Sequence, residues 1–253
     1  MQSHLAISIS EQGAEFISFK EGIVVNNSTL EFASLKADEC KRSLDDHFRE
    51  THFLTKDYDE ITLSWVGIRS TVVPANVFAD SNPEDIFKLC FGKNIDPSTI
   101  DYNRISEQSI VNIYEIPRWV KSFFVIKYPT VILQHEGSHL IRSAMDSNAF
   151  KTKATIILHK EHFTMTIAKH NELIYYSGFE ASAPNDVLYH LLFVLQQKEI
   201  TEDKGSIEIS LDVDANELWL EEITTGISKI KDISSFTVSN VDNYMAKAQR
   251  LCV

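Results

Sequence analysis

The sequence predicts an α/β protein of two similar lobes, each a mixed sheet with helices. Three observations carry that prediction. Short stretches alternate apolar and polar residues with the period of a half-buried strand. Longer stretches space apolar residues three and four apart, as an amphipathic helix does. The order strand, strand, strand, helix, strand occurs near the start and recurs about 149 positions later.

In the first copy Leu5, Ile7 and Ile9 share one face of a strand that runs to Ser10. Ala14 to Phe19 follows, then a Glu21-Gly22 turn and Ile23 to Val25, which together make a three-strand meander. Ala37 to Thr51 reads as a helix with Cys40, Leu44 and Phe48 four apart, and Glu60 to Trp65 as a closing strand. In the second copy Ile156 to Leu158 begins a strand and Phe163 to Ala168 continues the meander. His170-Asn171 makes the turn into Leu173 to Tyr176. Pro184 suits the first turn of a helix running to Gln197, with Val187, Leu188, Leu191, Leu192 and Leu195 as its buried stripe. Ile207 to Val213 is the last strand. At a constant offset Ile7 falls on Ile156, Ile9 on Leu158, Lys20 on Lys169, Val25 on Ile174 and Ser28 on Ser177, the pattern expected of an internal duplication.

Between the copies Ser109 to Ile116 reads as a strand, and Pro117 to Phe124 as a helix with Val120, Phe123 and Phe124 on one side. Val131 to Gln134 reads as a strand, and Glu136 to Asp146 as a helix that turns Leu140, Ile141 and Ala144 to the core. Val241, Tyr244, Met245, Ala248 and Cys252 mark a final amphipathic helix. These readings place the first lobe at 1–128, the second at 129–240 and the last helix at 241–252.

The composition sets limits on function. Of 253 residues 43% are hydrophobic and 24% charged, which excludes a disordered chain, a collagen-like repeat and a coiled-coil rod. The net charge of −12 has the wrong sign for non-specific nucleic-acid binding. Cys40, Cys90 and Cys252 are odd in number and far apart, so reduced thiols are expected and neither a zinc spacing nor a disulfide framework is. The start at Met1-Gln2-Ser3-His4-Leu5 lacks a signal-peptide pattern. Apolar stretches such as Leu191 to Leu195 fall far short of the roughly 20 residues of a membrane span. A cytoplasmic protein is expected.

Eight glycines occur, at 13, 22, 67, 92, 137, 178, 205 and 226. No two are close enough for a Walker A loop, a dinucleotide turn or a serine nucleophile elbow. Backbone that closely approaches phosphate needs residues without a Cβ, and this chain has few.

The two copies resemble the duplicated ribonuclease-H-like fold of the actin, sugar-kinase and heat-shock-ATPase superfamily. More narrowly, the chain resembles an uncharacterised Bacteroidetes family with this actin-like ATPase fold, and more distantly the actin-like pilus-assembly proteins. The resemblance implies that the last helix packs back on the first lobe, with a partner-docking helix as the alternative. It also implies an Asp-x-Gly-[Ser/Thr] turn after the first strand of each lobe, where the acid holds the magnesium shell and backbone amides grip phosphate. In the matching stretch Ile7-Ser8-Ile9-Ser10, Ser8 stands at the acid and Ser10 at the glycine. In Ile156-Ile157-Leu158-His159, Ile157 replaces the acid and His159 the glycine. Isoleucine cannot coordinate a hydrated cation, so the resemblance, with these departures, implies a pseudo-ATPase.

His135-Glu136-Gly137-Ser138-His139 matches the zinc-peptidase pattern His-Glu-x-x-His. On a helix both imidazoles would share a face and bind one Zn²⁺, with Glu136 as the base that activates water and Glu161 or Glu172 as a third ligand. The context argues against it. Pro129 lies six residues upstream, Thr130-Val131-Ile132-Leu133 is β-rich, and Gly137 weakens a helix by about 1 kcal/mol relative to Ala. Asp212 to Asn216 begins like a calcium loop but has Glu217 for the required Gly and Ile223 at the twelfth position, so it reads as a turn. His159 and His162, three apart, would face opposite sides of a strand and form the rim of a hairpin. Asp45-Asp46 and Glu221-Glu222 read as solvated helix faces, and Cys40 has no identifiable base.

The function expected is that of a non-catalytic binding or scaffold module with a protein partner, recognised through the interlobe cleft or an exposed surface. No catalytic residue, metal or cofactor is assigned. A nucleotide-binding ATPase using ATP with Mg through divergent motifs is the first alternative. A Zn peptidase at His135, Glu136 and His139 is the second.

Overall fold

Every residue from His4 to Ile9 in β1 (Ser3–Ile9) is buried, because the strand is covered on both faces. Leu5, Ile7 and Ile9 point one way, His4, Ala6 and Ser8 the other, as the two-residue period of a strand requires. The computed structural model describes residues 2–92, 94–146, 151–200, 204–212 and 217–252. They form two compact units, Met1–His139 with Met245–Val253, and Leu140–Tyr244.

In the first unit β1 pairs antiparallel with β2 (Gly13–Lys20), which pairs with β3 (Ile23–Glu31). Next comes α1 (Ala37–Glu50), and then β4 (Glu60–Trp65), which lies parallel to β1 on its other side. Leu44 and Phe48 of α1 are fully buried against Leu5, Ile7, Ile9, Phe16 and Leu63, each side chain contributing roughly 1.5–3 kcal/mol. A small antiparallel sheet then interrupts the larger one. It comprises β5 (Ser70–Pro74), β6 (Ile100–Ile105) and β7 (Ile110–Glu115), with α2 (Pro83–Phe91) between β5 and β6. Phe78, Phe87, Val111 and Ile113 form its own core. α3 (Arg118–Lys127) adds Val120 and Phe124 to the main core, and β8 (Ile132–His135) pairs parallel with β4. The five-stranded order is β3-β2-β1-β4-β8. β8 runs directly into α4 (Glu136–Asp146), where Leu140, Ile141 and Ala144 are buried as the spacing predicts.

The second unit has the same order of strands, β11-β10-β9-β12-β13. Its elements are β9 (Thr152–Leu158), β10 (His162–Lys169), β11 (Glu172–Glu180), α5 (Pro184–Gln197), β12 (Gly205–Leu211), α6 (Glu217–Lys229) and β13 (Thr237–Asn240). β1, β2 and β3 start at 3, 13 and 23, and β9, β10 and β11 at 152, 162 and 172, each 149 further on with the same length. The irregularity between Ser18 and Phe19 in β2 reappears between Ile167 and Ala168 in β10, again 149 on. The following turns match too: Glu21 and Gly22 have φ of 52° and 84°, His170 and Asn171 of 52° and 59°. Two consecutive left-handed residues give a hairpin turn whose twist suits the flanking strands. α5 starts where Asp186 accepts bonds from the Ser182 and Ala183 N–H groups, and buries Val187, Leu191, Val194 and Leu195 against Ile156, Phe163 and Ile207.

The last helix, α7 (Tyr244–Gln249), begins later than the apolar spacing suggests. Val241 instead donates its N–H to Ile209 O and prolongs the β12–β13 ladder. Ala246 of α7 packs with Ala6, Ile17 and Phe19 on the sheet face of the first unit that α1 leaves open. Among the described residues no helix is long and apolar enough to cross a membrane.

Candidate functional site

Ser8, matched to the acid of the first phosphate turn, sits on that same open face, and α7 covers it. Its Oγ accepts a 3.2 Å bond from Gln249 Nε2. Gln249 Oε1 accepts from Thr62 Oγ1 at 2.8 Å, and Thr62 Oγ1 is 2.8 Å from His4 Nε2. The Thr62 proton is spent on Gln249, so His4 donates to Thr62 and carries its proton on Nε2. Burial, reinforced by the nearby Arg250 guanidinium, lowers the His4 pKa to about 4. The Arg250 guanidinium also lies 5.2 Å from the centre of the Phe19 ring. Four buried side chains are thus joined by hydrogen bonds at the position matched to the acid, with His4 Nδ1 left over.

The turn that follows is also occupied. Ser10 Oγ accepts from the N–H groups of Gln12 at 3.0 Å and Gly13 at 3.3 Å. Those backbone donors face the chain's own hydroxyl. Gly13 serves the sheet, since a Cβ there would meet Leu30 O at 2.3 Å.

The His-Glu-x-x-His stretch straddles a strand and a helix. His135 closes β8, and α4 begins only at Glu136, so the two imidazoles do not stand a turn apart on one helical face. His135 Nδ1 accepts the Gly137 N–H at 3.0 Å, and Nε2 donates to Gly67 O at 2.8 Å. A metal at this ring would displace one of those bonds. The His135 N–H and Ser138 Oγ both donate to Asn103 Oδ1, and Asn112 Nδ2 donates to Ser138 Oγ. The stretch therefore ties the strand β8 to β6 and β7 of the small sheet, with the Tyr114 ring 5.0 Å from that of His135. Glu136 and His139 are fully buried, whereas Glu161 and Glu172 are exposed in the second unit.

In the second unit Ile157 is 1% exposed, an apolar side chain at the matched acid position. Two positions on, His159 donates its N–H to His162 O at 2.9 Å, as Ser10 does to Gly13 O in the first unit. This pairing corrects the expectation that the two histidines face opposite sides. The alternation holds along one strand, but a two-residue turn at Lys160-Glu161 makes them opposite partners on neighbouring strands. Their rings stack at 4.3 Å between centroids and 17° between planes. Asp212, just past β12, places Oδ2 2.8 Å from His159 Nδ1. The sequence held the signal: strands ending near 158 and starting near 163 make the residues between them hairpin partners.

The remaining candidates are plain. Cys40 is buried, donates to Ser34 O at 3.0 Å, and has its thiol pKa raised by burial. Asp46 pairs with Arg49 on the outside of α1, and Glu221 and Glu222 are exposed on α6. Of the calcium-like stretch, positions 213–216 lie outside the described residues.

Comparison with solved structures defines the class. A Bacteroides thetaiotaomicron VPI-5482 protein with an actin-like ATPase fold and unknown function superimposes with a TM-score of 0.79. That match has 20% identity and covers 100% of this chain and 96% of the other. The chain has the two-lobed actin-like ATPase fold. It belongs to the family described as protein of unknown function DUF3822, which it matches over residues 1–230. A PilM–PilN type IV pilus biogenesis complex is a more distant likeness, with a TM-score of 0.52, 8% identity, and coverage of 96% and 89%. No curated protein matches the sequence.

Proposed function

We propose that this chain is a non-catalytic actin-like-fold module that binds a protein partner. The observation that carries the reading is the bond from Gln249 to Ser8, with Ile157 at the equivalent place in the second lobe. A serine hydroxyl already bonded to a buried amide is a poor substitute for the carboxylate of a magnesium shell, and isoleucine offers no ligand at all. The Ser10 hydroxyl on the turn amides removes the phosphate grip as well. The matching offsets of strands, irregularity and turn support an origin by duplication, after which both copies of the motif lost their acids.

A protein partner is favoured by the likeness to PilM, whose structure is that of a complex with PilN. Free thiols at Cys40 and Cys90 suit the cytoplasm. A phosphate-release assay with magnesium ATP tests the reading. Release equal to a protein-free blank is expected, and steady turnover by the pure protein would support the divergent ATPase instead.

A further inference from the structure

We propose that His159 and His162 of the second unit hold a Zn²⁺ ion at the β9–β10 hairpin, with Asp212 as the carboxylate that orients His159. Imidazole nitrogen is a preferred zinc ligand. A ligating histidine characteristically gives its other ring N–H to a carboxylate, which fixes the tautomer and raises the basicity of the ligand nitrogen. Asp212 does this at His159: the 2.8 Å bond to Nδ1 places the proton there and presents Nε2 as the ligand atom.

His162 supplies the second nitrogen. A ring nitrogen of His159 lies within 4.8 Å of one of His162. Two Zn–N bonds of about 2.0–2.1 Å each bridge nearly that span once the rings swing out of their stack and turn both in-plane lone pairs toward one ion. The backbone bond from His159 N to His162 O holds the pair in register. His159 is 2% exposed and His162 half-buried, with His162 Nε2 itself out of solvent, so water carried in with the ion completes the coordination. His159 follows β9, His162 opens β10 and Asp212 follows β12, so the ends of three neighbouring strands bring them together.

The test is calorimetric titration of the chelator-stripped, dialysed protein with zinc chloride, alongside visible absorption on titration with Co²⁺. One ion per chain is expected to saturate, and His162→Gln to abolish saturation. Asp212→Asn should weaken binding about ten- to a hundredfold. His139→Gln should leave it unchanged. Absence of saturation in the wild type, its survival in His162→Gln, or its loss in His139→Gln would overturn the proposal. Should His162→Gln fail to fold, Asp212→Asn decides, because it keeps both imidazoles, and unchanged affinity would count against the site.

Discussion

Gln249 donates to Ser8 across 241 positions of sequence, so α7 covers the place that the resemblance matches to the acid of a phosphate turn. The same amide accepts from Thr62, and all three side chains are buried. Replacing Gln249 by Leu would leave the Thr62 hydroxyl without its acceptor and Ser8 without its donor. The expected loss is about 2–4 kcal/mol, read as a lower midpoint in urea denaturation at unchanged slope. A midpoint within error of the wild type would mean that the polar bridge contributes nothing to docking α7.

His4 gives the fold an acid-side weakness. It titrates near 6.5 when unfolded and near 4 when folded, chiefly because burial disfavours the charged ring. Below pH 6.5 the unfolded chain takes up a proton that the folded protein refuses, so stability falls between pH 6.5 and 4. The share from His4 is about 3 kcal/mol over that window. His47 and His190 are lowered by burial too and act in the same direction. Asp59, Asp80, Asp96 and Asp186 are held below the usual carboxylate value by hydrogen bonds, and their contribution goes only at lower pH. Urea midpoints measured at pH 7.5 and 4.5 should therefore draw together in His4→Gln. An equal pH slope in that variant would assign the loss to other groups.

Asn112 is the buried hinge between the small sheet and the head of α4. It donates to Ser138 and is 3.4 Å from His135 Nδ1. Asn112→Ala should cost about 2–3 kcal/mol, through the donor lost to Ser138 and the cavity. Asn112→Asp keeps the volume but puts an acceptor against the Nδ1 acceptor of His135, and should be at least as harmful. Thermal melts of both variants check this order.

Gly205 opens β12 beside Thr152, and a Cβ there would meet Thr152 O at 2.2 Å and the Phe236 ring at 2.7 Å. Backbone cannot yield without breaking the β9–β12 ladder, so Gly205→Ala should cost on the order of 3 kcal/mol. Gly92→Ala meets nothing within 4 Å and pays only for its φ of 90°, so it should be the milder change in parallel denaturation curves.

Much of the architecture was legible because its helices bury one regular face and its central strands carry a regular apolar alternation. α5 runs from Pro184 to Gln197 and β4 from Glu60 to Trp65, as their patterns predict. Of the small sheet, β7 was read from Ser109 to Ile116, but β5 and β6 were not, and in β6 Asp101, Asn103 and Arg104 interrupt the apolar period. Asn103 is polar because it holds His135 and Ser138, a long-range role that no local pattern carries. The departures at Ser8 and Ile157 could be read from the first strands alone. Their replacement by Gln249 could not, because it joins residues at opposite ends of the chain. The His159–Asp212 pair was missed for the same reason, 53 positions separating its members.

Calorimetric titration of the purified protein with magnesium ATP, with ADP in parallel, tests the central claim most directly. The account predicts no saturable heat at protein concentrations suited to micromolar affinity, because Ser8 and Ile157 stand at the two matched acid positions and Ser10 Oγ occupies the amides of the first turn. Saturable one-to-one binding would contradict it and show that nucleotide is held by groups other than those of the family motif.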